Sequence, residues 1–137
     1  MQWTLTESKS KLTFTIATFK KPRYVIITWK GLELHREFIT KCYGVVYFIH
    51  KILGYNLFLE DSRCLYNVRT KEDWIKEDLI PKISKLKLKK WAIVLGDDPI
   101  TNNSYLTVKK HVELNTNLKV KIFENKAQAV DWLMEKD

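Results

Sequence analysis

Glycine, proline and cysteine are all scarce in this chain. Four glycines and three prolines in 137 residues exclude collagen-like, linker-like and low-complexity architectures, which are built on those residues. The two cysteines, Cys42 and Cys64, form no C-x-x-C pair, so no disulfide framework is expected. Long hydrophobic runs are missing as well. The longest mostly apolar stretch, Cys42 to Leu53, is interrupted by Gly44, His50 and Lys51 and falls well short of the roughly 20 residues that span a bilayer. The first residues, Met1-Gln2-Trp3-Thr4-Leu5-Thr6-Glu7, lack the basic start and apolar core of a signal peptide. A cytoplasmic protein without a transmembrane segment is the expectation.

Motifs that announce chemistry are equally absent. There is no P-loop and no G-x-G-x-x-G, which argues against a phosphate cradle of backbone amides. His35, His50 and His111 fall on or beside predicted helices, with no H-x-x-x-H or HExxH spacing to build a metal face. Their bland readings are a helix start for His35 and a helix flank for His50, and Cys42 reads as a core residue. No catalytic residue, metal site or cofactor is expected, and the chain does not read as an enzyme.

What is present is a core. Apolar residues make up 45% and charged residues 29% of the sequence, the balance of a globular chain. The length suits a single domain over residues 1–137. Lys and Arg number 24 against 16 Asp and Glu, a net charge of +8. The cations fall in separate clusters: Lys20, Lys21 and Arg23; Lys82, Lys85, Lys87, Lys89 and Lys90; and Lys109 to Lys126. Spread along the chain in this way, they read as a solubility feature, and Lys119 and Lys121 as protection of a strand edge.

Hydrophobic periodicity supplies the elements. Leu12, Phe14 and Ile16 alternate with polar or small residues over 11–19, the period of a half-buried strand. Tyr24 to Trp29 is a second β-prone run, and Lys20-Lys21-Pro22 between them predicts a hairpin. Leu34, Phe38, Cys42, Val45, Ile49 and Leu53 then fall on one helical face, predicting a helix near 33–53 closed by Gly54. Leu57-Phe58-Leu59 suits a short buried strand ending on Glu60 and Asp61. Thr70-Lys71-Glu72-Asp73 resembles a helix start, with Trp74, Ile75, Leu79 and Ile83 inward and Pro81 splitting the helix.

Trp91 to Leu95 is the clearest buried strand and runs into Gly96-Asp97-Asp98-Pro99. A helix over 101–113, a strand over 118–123 and a short helix capped by Asn125 complete the chain, the last with Ala127, Val130, Leu133 and Met134 in one stripe. The order β-β-α-β-α-β-α-β-α predicts an α/β fold. Its sheet is mostly parallel, of about five strands, with an N-terminal antiparallel hairpin and about four covering helices.

This order and particular local sequences resemble the SpoIIAA-like branch of the STAS-domain superfamily, small bacterial domains related to anti-sigma factor antagonists. The resemblance runs from about Tyr24 to Asp137. It is carried by Tyr24-Val-Ile-Ile-Thr-Trp-Lys-Gly31, Leu57-Phe-Leu-Glu-Asp61, Lys89-Lys-Trp-Ala-Ile-Val-Leu-Gly96 and Ile122-Phe-Glu-Asn-Lys-Ala-Gln-Ala-Val-Asp-Trp-Leu133. It implies a regulatory domain acting by docking, in some members phosphorylated on a Ser or Thr after the central strand, in an Asp-Ser context followed by Gly. Ser62 is the local match here and Thr70 the positional one, and neither has the following Gly. A phosphoreceiver domain, the other fold with Asp residues at strand ends, would need acids after its first strand and a Lys after its last. The chain has Lys20-Lys21 and Phe123-Glu124 there.

Two strands thus deliver polar groups to one predicted edge, where open α/β sheets place their ligand crevices. The expected binding surface is Asp61, Ser62, Arg63, Thr70, Lys71, Asp97 and Asp98, with Thr70 and Ser62 as candidate phosphoacceptors. The structural alternative is that Asp61 and Asp97 merely form turns and caps. The expected partner is a protein, and a homodimer is compatible with this reading. The alternatives are a small-ligand or lipid carrier with the first helix as a lid, and an electrostatic nucleic-acid binder.

Overall fold

The computed structural model describes residues 1–33 and 35–136. Leu34, expected on the inner face of the first helix, lies outside them. The elements are β1 (Gln2–Thr6), β2 (Thr13–Lys20), β3 (Arg23–Leu32), α1 (Arg36–Leu53), β4 (Leu57–Tyr66), α2 (Glu72–Trp74), a π-helical turn (Ile75–Leu79), α3 (Ile80–Ile83), β5 (Lys90–Leu95), α4 (Pro99–Asn115), β6 (Lys119–Phe123) and α5 (Lys126–Met134).

The sheet has six strands in the order of the chain. β1, β2 and β3 pair antiparallel, and β3, β4, β5 and β6 pair parallel. The expected hairpin and parallel sheet are therefore present, with β1 added at the edge. Trp3 and Leu5 alternate with polar residues there, but the strand is exposed on most positions, so its pairing with β2 rather than a buried face makes it a strand.

Both faces of the sheet are covered. On one, α1 buries Ile39, Cys42, Val46 and Ile49 against Phe14, Ile27, Trp29, Phe58 and Trp91, and Gly54 ends the helix at φ +67°, a conformation without penalty only for glycine. On the other, Ala129 and Leu133 of α5 pack on Ile26, Leu59, Ala92 and Val94. Ala127 is exposed; the buried stripe of α5 starts two residues later. Asn125 caps α5 by accepting from Gln128 N–H at 3.2 Å. Buried Lys90 closes the other end, its Nζ donating to the carbonyls of Trp132 and Glu135 at 3.0 and 2.7 Å.

The segment around Pro81 is helical throughout but wider in its middle. Pro81 has no N–H to give, and the Ile80 N–H reaches Ile75 O five residues back, so the register slips by one residue ahead of the proline. Thr70 is not the cap of this helix. Lys71 holds that position without a side-chain bond, and the Thr70 N–H donates to Ser104 Oγ at 3.0 Å. His50 is buried rather than on a flank, with Nδ1 3.1 Å from Val46 O, and burial pushes its pKa down.

Candidate functional site

The largest difference from the expected elements lies in β4. The strand continues through the polar run Glu60-Asp61-Ser62-Arg63 to Tyr66, so Asp61 and Ser62 lie inside it instead of at its end. Four consecutive polar residues remain in a central strand because each finds a partner on one face or the other. Glu60 and Ser62 turn toward α1 and α4. Glu60 is fully buried, and its Oε2 accepts from Trp29 Nε1 at 2.9 Å, Tyr43 OH at 2.5 Å and Tyr105 OH at 2.6 Å. Ser62 donates to Tyr105 OH at 2.8 Å.

Burial pushes the Glu60 carboxyl up, against the opposing pull of the Tyr105, Tyr43, Trp29 and Trp91 donors. Trp91 Nε1 and Glu60 Oε1 meet no partner at hydrogen-bond geometry, so the pull of Trp91 is the weakest of the four. Burial, and then the Glu60 charge, drive the Tyr43 and Tyr105 hydroxyls well above their usual pKa. Both phenols therefore remain donors at any ordinary pH.

Asp61 and Arg63 turn to the opposite face. Asp61 is buried, and its two oxygens clamp the Arg63 guanidinium through Nε at 3.0 Å and Nη2 at 2.8 Å. This bidentate bond, followed by the Asp61 charge once desolvation is offset, raises the Arg63 pKa further. β4 carries Ser62 and Arg63 opposite the single residue Trp29, since Thr28 pairs with Asp61 and Lys30 with Cys64. Such a bulge turns the strand and re-aims its side chains.

The strand-end acids divide their roles. Asp98 caps α4, accepting from Thr101 N–H at 3.2 Å and Thr101 Oγ1 at 2.7 Å, and ties the chain after β4 by accepting from Asn67 N–H at 2.8 Å. The Asn67 and Thr101 bonds hold its carboxyl below the usual range. Asp98 is thus committed to structure. Asp97 is exposed and borders an open depression of about 440 Å³ with Arg63, Tyr66, Leu95, Gly96 and Glu124. Gly96 makes the close approach possible, since a Cβ there would stand 2.3 Å from Arg63 O. Thr70 borders a separate hollow with Arg69, Pro99 and Asn103, and Lys71 is exposed beyond it.

The predicted surface therefore splits. Arg63, backed by Asp61, converges with Asp97; Thr70 and Lys71 sit on the neighbouring rim; Asp98 is spent on the cap. Ser62 is buried with its hydroxyl on Tyr105, so of the two candidate phosphoacceptors only Thr70 is partly exposed. Sequence reasoning missed the Glu60 cluster, whose tyrosines and tryptophans read as ordinary core. Its signal was an acid flanked by residues of a buried strand.

An apolar cavity lies between α1 and the helix broken by the π turn, lined by Tyr43, Phe58, Trp74, Leu79 and Trp91. Its volume of about 30 Å³ admits one or two waters. In this conformation it has no room for an acyl chain, which a lipid carrier would require.

No protein-family model and no curated protein matches the chain. Among solved structures, an uncharacterized protein of the DUF3478 family from Shewanella loihica PV-4, described as having a SpoIIAA-like fold, superposes with a TM-score of 0.56 at 16% identity. The match covers 94% of this chain and 98% of that one. The chain has a SpoIIAA-like fold. At this identity the likeness is one of fold alone.

Proposed function

We propose that this SpoIIAA-like chain is a non-enzymatic regulatory or interaction domain of the cytoplasm that binds a protein partner through the depression at the carboxyl ends of β4 and β5. The observation carrying this reading is the Arg63 guanidinium, 44% exposed yet clamped by buried Asp61, beside Tyr66 at 46% exposure. A cation already fixed in place loses little conformational freedom on docking. Arg and Tyr are also among the side chains that dominate the energetics of protein interfaces. Asp97 and Glu124 on the same rim add negative charge and so select a partner of mixed polarity. The unpaired cysteines accord with a reducing compartment.

Phosphorylation, where it regulates this surface, acts at Thr70. A phosphate there would stand between Arg69 and Lys71 in sequence and add nearly two negative charges at the rim.

A photo-crosslinking residue in place of Tyr66 tests the site. It is expected to trap a partner from the native cell, and Arg63→Ala or Asp61→Ala is expected to weaken capture at least about tenfold with unchanged circular dichroism, the size of an interface hot spot. Capture that survives both substitutions refutes the surface.

A further inference from the structure

The cations that are spread along the sequence meet at one end of the fold. Because β3 to β6 are parallel, their first residues lie side by side at the end of the sheet opposite the Arg63 depression. The β2–β3 turn, closed by the Lys20–Arg23 pair, brings Lys20, Lys21 and Arg23 there. The last turn of α1 adds Lys51. The loop from α3 to β5 adds Lys85, Lys87 and Lys89, and it is stitched to its neighbours by Lys89 N–H on Asn56 O at 2.8 Å and Lys119 N–H on Lys89 O at 3.1 Å. Every one of these turn and loop cations is exposed.

Residues 17–24, 50–56, 84–90 and 115–119, which form this end, contain no Asp or Glu. Among the described residues, acids approach it from two helix ends: Glu135 at the end of α5, whose backbone carbonyl takes Lys90 Nζ, and Glu113 in the last turn of α4, which is paired with Lys109. At the other end of the sheet, by contrast, Asp61, Asp97, Asp98 and Glu124 alternate with Arg63, Arg69, Lys71 and Lys126. The excess charge of the protein is therefore polarised along the strand axis. From β2 to β5 the strip is about 15 Å wide at the usual strand spacing. That is comparable to the screening length of about 10 Å at 0.1 M salt, so its charges act as one field.

Apolar side chains accompany them. Ile52 and Leu53, in the last turn of α1, are 64% and 38% exposed, and Phe48 one turn earlier is 59% exposed. We propose that this end of the sheet docks on an anionic lipid bilayer, with the lysines over the headgroups and Ile52 and Leu53 at the acyl boundary. Two features select a bilayer over a nucleic acid. The cations are lysines save for Arg23, point charges suited to a diffuse anionic surface, whereas nucleic-acid recognition favours the bidentate guanidinium. The residues that follow Lys51, Ile52 and Leu53, are aliphatic and gain from the acyl boundary, and of the exposed aromatic rings at this end, Phe19 and Phe48, Phe19 already has one face stacked on Tyr24, so both suit a membrane interface better than a run of stacked bases. Docked this way, the protein directs its Arg63 depression away from the membrane. This proposal stands independently of the function proposed for that depression.

Co-sedimentation of the full chain with phosphatidylcholine vesicles, with and without phosphatidylglycerol, tests the surface. Binding is expected only with the anionic lipid and is expected to weaken steeply with salt. The triple variant Lys85→Glu, Lys87→Glu, Lys89→Glu is expected to lower partitioning on the order of 100-fold, and Ile52→Ser about fivefold. Lys126→Glu, at the opposite end, should leave it unchanged. All of these positions are exposed, so circular dichroism should confirm an intact fold. The proposal is overturned if the protein ignores anionic vesicles at low salt, if the triple variant binds as the parent does, or if a short oligonucleotide binds more tightly and displaces the vesicles.

Discussion

The Trp29 indole N–H donates to Glu60 Oε2 at 2.9 Å, joining neighbouring strands at the point where the β3–β4 register shifts. Tyr43 from α1 and Tyr105 from α4 complete the shell, so one buried carboxylate links the sheet to two helices. Removing it by Glu60→Ala strands three donors in a dry interior and is expected to cost about 3 kcal/mol or more, read by urea unfolding. Glu60→Gln keeps an acceptor in place and should cost far less at neutral pH.

The same group predicts a pH dependence. Its carboxyl is raised by burial in the folded state, so between the ordinary carboxylate range and the raised value the native state holds more protons than the unfolded chain. Stability should fall as pH rises through that window. Glu60→Gln should flatten this part of the profile. An unchanged profile would show that Glu60 is not the group responsible.

His50 acts with the opposite slope. Burial lowers its pKa, so the unfolded state takes up a proton first as pH falls below the usual histidine range. Stability should therefore be complete above that range and decline as pH drops toward the lowered folded value. Thermal melts of His50→Gln against the parent across this range should show that acid-side decline removed.

Gly96→Ala would drive a methyl group to 2.3 Å from the Arg63 carbonyl oxygen, backbone that cannot yield without displacing β4. A loss of about 2 kcal/mol or more is expected, in the range of overpacked cores. Because the same turn forms the depression beside Arg63, crosslinking through Tyr66 should fall as well.

The two thiols should react very differently. Cys64 is exposed and Cys42 buried, with burial pushing the Cys42 thiol up to about 12. A thiol reagent should modify Cys64 in the native protein and reach Cys42 only after unfolding. Rapid modification of both in the native state would contradict the packing of α1.

Local chemistry carried the sequence reading where each element could be recognised from its own residues. The period of α1, its close at Gly54, the β-prone run Trp91 to Leu95 and the Asn125 cap are all encoded within a few residues of the feature they produce, and they suffice for the SpoIIAA-like order of elements. β1 and the second half of β4 were not legible in this way. A strand exposed on most positions, or polar at its centre, exists only because distant groups pair with it: β2 for Gln2–Thr6, and Tyr43, Tyr105 and Trp29 for Glu60.

The acids chosen from the sequence were a partial guide for the same reason. Asp61 and Arg63 do lie together, but only the alternation of β4 sends them to one face and Ser62 to the other. The scarcity of glycine, proline and cysteine leaves a packed globular chain, and the alternation of strand and helix periods makes it an α/β domain; that much the sequence determined by itself. Where the charge went was decided by tertiary structure alone. Parallel strands place all their starts at one end, so lysines far apart in the chain become neighbours, and a net charge that looks dispersed in sequence becomes a directed surface.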